Sequence, residues 1–219
     1  MRPLRDTSLT IVLTAATLAT LAGMVMTGLS VHNEELLQHH RPAVTLMAYM
    51  ASGHFLSAVF ENWESEFLQM SAYVVLTAFL FQRGSAESKD PDAEAEQDED
   101  PAAHADDPDA PLPVRLGGLP RTLYSYSLGI ALIVLFLLSF ALHLHNSAAA
   151  EAVEALSHGQ PAPTVWQHAG SAKFWFESFQ NWQSEFLSTA VLVVLSIFLR
   201  FRHSPESKPV AAPHSKTGG

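Results

Sequence analysis

Cysteine is absent from the 219 residues of this chain. That removes disulfides, thiolate metal sites, cysteine nucleophiles and CxxC redox chemistry. Basic residues are scarce: 12 Lys and Arg stand against 22 Asp and Glu, for a formal net charge of −10. With no basic patch in view, nucleic acid is not expected as a partner. The chain also has no P-loop, GxGxxG, HExxH or GxSxG signature, the patterns that would point to phosphate, dinucleotide, zinc-hydrolase or serine-hydrolase chemistry. These gaps predict a protein that is not an enzyme and holds no cofactor or catalytic metal.

What is present is apolar. Hydrophobic residues make up 48% of the chain, and mean hydropathy is +0.13 despite the negative charge. The acid is local: eleven of the twenty-three residues from Glu87 to Asp109 are Asp or Glu. Acid, Pro and Ala without large apolar side chains cannot offset the entropy of ordering the chain. Residues 84–120 therefore read as a disordered acidic linker, and 204–219 as a disordered tail. Residues 1–83 and 121–203 read as two structured halves.

Two stretches, Ser8 to Val31 and Thr122 to Leu142, contain no charged residue. Each is as long as the ~20 apolar residues that a membrane-crossing helix needs. Two shorter runs begin at Phe67 and Phe186; extended back through the polar segments before them, each exceeds twenty residues. The expectation is an all-α integral membrane protein with four transmembrane helices. Arg2 and Arg5 ahead of the first run raise the alternative of a cleaved signal peptide, but the run is long for one and a similar run recurs mid-chain. The N-terminal, central and C-terminal segments hold ten of the twelve Lys and Arg residues, and the other two loops hold only Arg41 and Lys173. By the positive-inside tendency, both termini and the linker face the cytoplasm, and the loops after spans one and three face outward.

Shifted by 119 residues, Leu37–Lys89 falls on Leu156–Lys208 without a gap, and twenty-four of fifty-three positions are identical. Each half reads as span, outer loop, span and tail. An even number of spans per half gives both halves one orientation, so the repeats are parallel and related by an axis along the membrane normal. A pseudo-twofold four-helix bundle is the simplest packing. The phrases "HNEELLQHHRP", "NWESEFLQM", "NWQSEFL" and "SPESKPV" resemble a family of uncharacterised bacterial membrane proteins that share a domain of unknown function (DUF6766). The resemblance implies a small multi-pass protein of the bacterial inner membrane, and it implies no activity, substrate or cofactor.

The most distinctive repeated phrase is "FENWESEFL" from Phe60, which returns as "FQNWQSEFL" from Phe179. At 1.5 Å per helical residue, Glu66 lies ~25 Å from the cytoplasmic end of span two at Arg83. That places it just inside the outer edge of a hydrocarbon core ~30 Å thick, with Asn62 at the edge. Asn62 and Glu66 are four residues apart and share a helix face, as do Asn181 and Glu185. Trp63 and Trp182 suit the role of interface anchors. One reading makes Asn and Glu a structural bond between repeats; the other makes the four polar side chains an outward-facing site for a cation or proton. Between the copies, Glu61 and Glu64 become Gln180 and Gln183, which directs attention to the shared Asn–Glu face.

Eight of eleven histidines fall on the predicted outer side: His32, His39, His40, His54, His143, His145, His158 and His168. Their spacing matches no metal motif, so ordinary hydrogen bonding is the expectation, with metal binding or pH sensing as the alternative. The leading functional expectation is a non-enzymatic envelope or scaffolding component. Its partners are the lipid bilayer and either a second copy of the chain or another membrane protein, and its small-molecule ligand is undefined. The alternatives are a small cation or proton transporter or channel and, more remotely, an outer-side metal-binding enzyme or redox carrier.

Overall fold

A computed structural model describes residues 6–218. Among them there is no strand. Eight α-helices run in the order α1 Ser8–Gln38, α2 Leu46–Met50, α3 Gly53–Phe79, α4 Leu112–Leu116, α5 Gly118–Ser125, α6 Ser127–Ser157, α7 Val165–Ala169 and α8 Ala172–Phe198, with two short 3₁₀ helices, Glu96–Asp98 and Pro101–His104, in the acidic segment. The bounds of α1, α2 and α3 recur 119 residues later in α6, α7 and α8, each helix with its original length.

Local chemistry sets these bounds. Helix α1 ends where Arg41 N–H donates to the Leu36 carbonyl (2.8 Å) and His40 N–H to the Leu37 carbonyl (3.0 Å). His40 takes a positive φ of 57°, which closes the helix in a Schellman turn. Helix α6 ends the same way. Gln160 N–H donates to Ala155 and Gly159 N–H to Leu156, and Gly159 has a φ of 70°. Pro42 and Pro161 follow, since proline cannot continue a helix. Thr45 and Thr164 then cap the short helices, and Thr164 completes a capping box with Gln167. Ser52 and Ser171 accept the Phe55 and Phe174 N–H groups, each at 3.2 Å, to start the next long helices.

Two helices, α1 and α6, are long and apolar enough to cross a membrane, with mean hydropathies of 2.0 and 2.4 over their best windows. None of the α1 window is buried, so its apolar side chains present a surface that water does not favour. Helices α3 and α8 have the length but carry the polar NWxSEF segments in their first halves, which lowers their hydropathy.

The folded chain forms two compact units. One joins the chain up to Val59 with Leu142–Gly170; the other joins Phe60–Ala141 with the chain from Ser171 on. In the first, Tyr49, Phe55 and Val59 are buried against Leu21, Met24, Val25 and Leu29 of α1. Asn33 pins the following loop, its side chain both donating to and accepting from the Val44 backbone (3.2 and 2.7 Å). A Cβ at Gly28 would overlap the Tyr49 hydroxyl. The residues 119 positions later are Ser147 and His168, whose hydroxyl and Nε2 hydrogen-bond at 2.8 Å. A larger ring over glycine in one place is thus replaced by a smaller ring bonded to serine in the other. Gly53 is the second close approach, because a Cβ there would meet the Asn146 carbonyl at 2.7 Å and the Ala150 nitrogen at 2.9 Å.

In the second unit, the ends of α3 and α8 are tied by the SxESK segments. Ser88 accepts the Gln82 N–H, and Ser207 accepts the Phe201 N–H, both at 2.9 Å. The two segments share this turn and differ in their lysines. Lys89 reaches the Asp98 carboxylate at 2.5 Å. Lys208 is buried and donates to the carbonyls of Gly84, His214 and Lys216. Burial, and then the nearby Arg200 and Lys216 charges, hold the Lys208 pKa below the ordinary lysine range. The three carbonyls give its ammonium the partners a buried charge requires. Ser85 and Ser196 hydroxyls bond at 2.8 Å, and Gly218 N–H donates to the Ser85 carbonyl at 2.9 Å.

The Gly28–Tyr49 fit gives a double-mutant prediction. Gly28→Ala is expected to destabilise the protein by about 1–3 kcal/mol through overpacking. Adding Tyr49→Phe, which deletes the overlapping hydroxyl, is expected to restore part of that loss. Thermal unfolding in detergent measures both, and equal melting of the single and double variants would reject the fit.

Candidate functional site

The repeated NWxSEF segments meet within the second unit. The Asn181 side-chain amide donates to the Glu61 carboxylate and to the Glu177 carbonyl at 3.3 Å. The Trp182 indole N–H donates to the Glu64 carboxylate at 3.1 Å. Glu64 is completely buried, at 0% exposure. The acceptors are thus the two carboxylates that the second copy lacks, where Gln180 and Gln183 stand. Shared residues of one copy donate to unshared residues of the other.

The helix period explains the geometry. Glu61, Glu64 and Ser65 lie three and four residues apart, one stripe of α3, and Glu64 and Ser65 are buried while Asn62 and Glu66 are exposed. Asn62 and Glu66 therefore occupy a neighbouring, outward stripe. Asn181 and Glu185 on α8 are half-buried, and Glu66 and Glu185 stand within electrostatic range of each other. One turn further along, the Gln69 amide donates to the Thr189 hydroxyl at 2.6 Å, extending the polar seam between α3 and α8.

The two tryptophans part company. Trp63 is 44% exposed and meets Phe60 edge-on at 5.7 Å. Trp182 sits in an aromatic cluster with Phe136, Phe140, Trp175 and Phe179, at centroid distances of 5.5–6.3 Å. Its apolar face packs while its N–H reaches Glu64, the two-sided use that tryptophan allows. The sequence carried one signal for Glu61 and Glu64: within the repeated phrase they are the charged residues that change between copies.

The model of the domain of unknown function DUF6766 matches residues 1–219. The chain belongs to the DUF6766 family. No curated protein and no solved structure matches it significantly.

The histidines gather in the first unit. His32, His39, His54 and His158 line an open cleft of about 620 Å³, together with Glu35, Arg41 and Glu154. His39 and His158, the same position of the two copies, thereby share one cleft. His32 stacks on His54 with ring centres 5.0 Å apart and planes 20° apart. Burial, and then the Glu35 carboxylate, push the Tyr49 hydroxyl above its ordinary pKa, so it stays protonated at neutral pH. Among the described residues no group of three or more His, Asp or Glu converges as a metal site would. His168 belongs elsewhere, on Ser147.

Because Trp182 is the donor to a buried carboxylate and Trp63 is exposed, the two should differ on substitution. Trp182→Phe is expected to cost about 1–3 kcal/mol by stripping a donor from Glu64. Trp63→Phe is expected to stay within about 0.5 kcal/mol, as surface changes do. Melting temperatures of the two variants in one detergent test this, and an equal loss would remove the special role of the Trp182–Glu64 bond.

Proposed function

We propose that this DUF6766 protein is a four-span inner-membrane protein built from two parallel repeats, and that it acts as a non-enzymatic scaffolding component of the envelope. The observation that carries this reading is the pair of bonds from Asn181 and Trp182 to Glu61 and Glu64. They spend the most distinctive polar groups of the chain on joining α3 to α8. Interhelical bonds of this kind contribute about 0.6 kcal/mol each in membranes, up to about 1.7; they specify register and partner more than they add stability. A transport site would instead leave its carboxylates lining a water path.

Further support comes from the exposed apolar length of α1 and α6 and from helix bounds that recur at an offset of 119 residues. Helices α3 and α8, 27 residues each, reach ~40 Å at 1.5 Å per residue, enough to cross with their polar halves toward the outer headgroups. Both termini then lie in the cytoplasm.

The cysteine-free chain makes the topology directly testable. Single cysteines at Ala43 and Ala162 are expected to react with a membrane-impermeant maleimide in intact cells, and one at Ala103 only after permeabilisation. Labelling of Ala103→Cys in intact cells would overturn the arrangement. For the function, proteoliposomes of the wild type are expected to pass no protons or cations above the empty-vesicle rate. A flux abolished by Glu66→Gln with Glu185→Gln would replace the scaffold with a transporter.

A further inference from the structure

We propose that the cleft in the first unit, between the last turns of α1 and α6 and the start of α3, binds a small molecule carrying both an ammonium and an anionic group. The cleft is walled by close helix contact. Gly53 has no side chain, and only that lets the start of α3 approach the Asn146–Ala150 backbone, which sets Ser52 and His54 beside Ala149 and Ala150 in one wall. Its volume of about 620 Å³ falls in the range of ~300–1,000 Å³ typical of small-molecule sites.

The charges decide the class of ligand. Glu35 comes from α1 and Glu154 from α6, with Arg41 just beyond the end of α1. Among the described residues no ion pair joins Arg41 to Glu35. A guanidinium offers a planar fork to a carboxylate or phosphate, while the Glu35 carboxylate suits an ammonium. A purely anionic ligand would face Glu35, and a purely cationic one would face Arg41. Only a molecule with both signs meets both.

A second observation points the same way. The His32 Nδ1 atom is buried without a hydrogen-bond partner, although His32 lines the cleft. The ring stacks on His54. A buried polar atom lacking a partner is costly, and a shift of the ring on ligand binding would bring it within reach of a polar group in the cleft. His39 and His158 add hydrogen-bonding ring nitrogens to the lining. This site uses none of the residues that join α3 to α8, so it stands or falls separately from the scaffold reading.

The same chemistry is found in a free amino acid and in the ethanolamine-phosphate headgroup of a lipid. The test therefore uses the purified full-length chain in phosphatidylglycerol nanodiscs, titrated calorimetrically with L-alanine, L-lysine and O-phosphoethanolamine. Saturable binding of at least one probe is expected. Preference for the amino acids assigns the site to a free metabolite, and preference for O-phosphoethanolamine to a headgroup. Arg41→Gln and Glu35→Gln are each expected to weaken binding about tenfold or more, the scale of one lost charged hydrogen bond. Arg41→Lys should keep part of the affinity, which a merely structural role for Arg41 does not predict. No saturable binding by protein with a wild-type melting curve, or equal binding by all variants, would overturn the proposal.

Discussion

A carboxylate removed from water must find donors, and Glu64 is the clearest instance in this protein. It is fully buried on α3, and the Trp182 indole on α8 supplies a donor. This need fixes which face of α3 turns toward α8. With Glu64 inward, Glu61 comes within reach of Asn181, Gln69 within reach of Thr189, and Asn62 and Glu66 are left on the outward stripe. Trp182 can serve as donor only because Phe136, Phe140, Trp175 and Phe179 hold its ring in place. Polar specificity and aromatic packing therefore depend on each other.

The two stretches related by the 119-residue offset are alike in backbone and unlike in side-chain roles. Backbone chemistry persists at equivalent places: Schellman turns at His40 and Gly159, threonine caps at Thr45 and Thr164, and serine-closed turns at Ser88 and Ser207. Side-chain roles have diverged. Gly28 with Tyr49 becomes Ser147 with His168, and Lys89 on a carboxylate becomes Lys208 inside a ring of carbonyls. Caps are local, so each copy satisfies them alone. Contacts between helices need only one good pair per interface, which leaves the other copy's residue available for change. Glu61 and Glu64 against Gln180 and Gln183 are that freedom in use.

Much of the molecule could be read before any coordinates. The apolar runs behind α1 and α6 and the 119-residue offset follow from composition and identities along the chain; the helix ends ahead of Pro42 and Pro161 came with the structure. The NWxSEF segments were legible as a repeated polar phrase, and the shared Asn62, Glu66, Asn181 and Glu185 stood out in it. That Glu61 and Glu64 accept from Asn181 and Trp182 was not legible. Similarly, the histidines were visible as an excess on one side, but nothing in their spacing joined His39 to His158 in one cleft.

The sequence by itself determined what is local or periodic: an all-α chain, two segments long and apolar enough to cross a membrane, and a stretch that recurs at an offset of 119 residues. Capping bonds and helical periodicity act over a few residues, so they are written in the order of the residues. Only the tertiary structure decided which stripe of α3 faces α8, which tryptophan is packed and which exposed, and which charges share a cleft. Those outcomes depend on the rotation of each helix about its axis. A turn of about 100° per residue makes neighbouring stripes look alike in sequence until packing selects one.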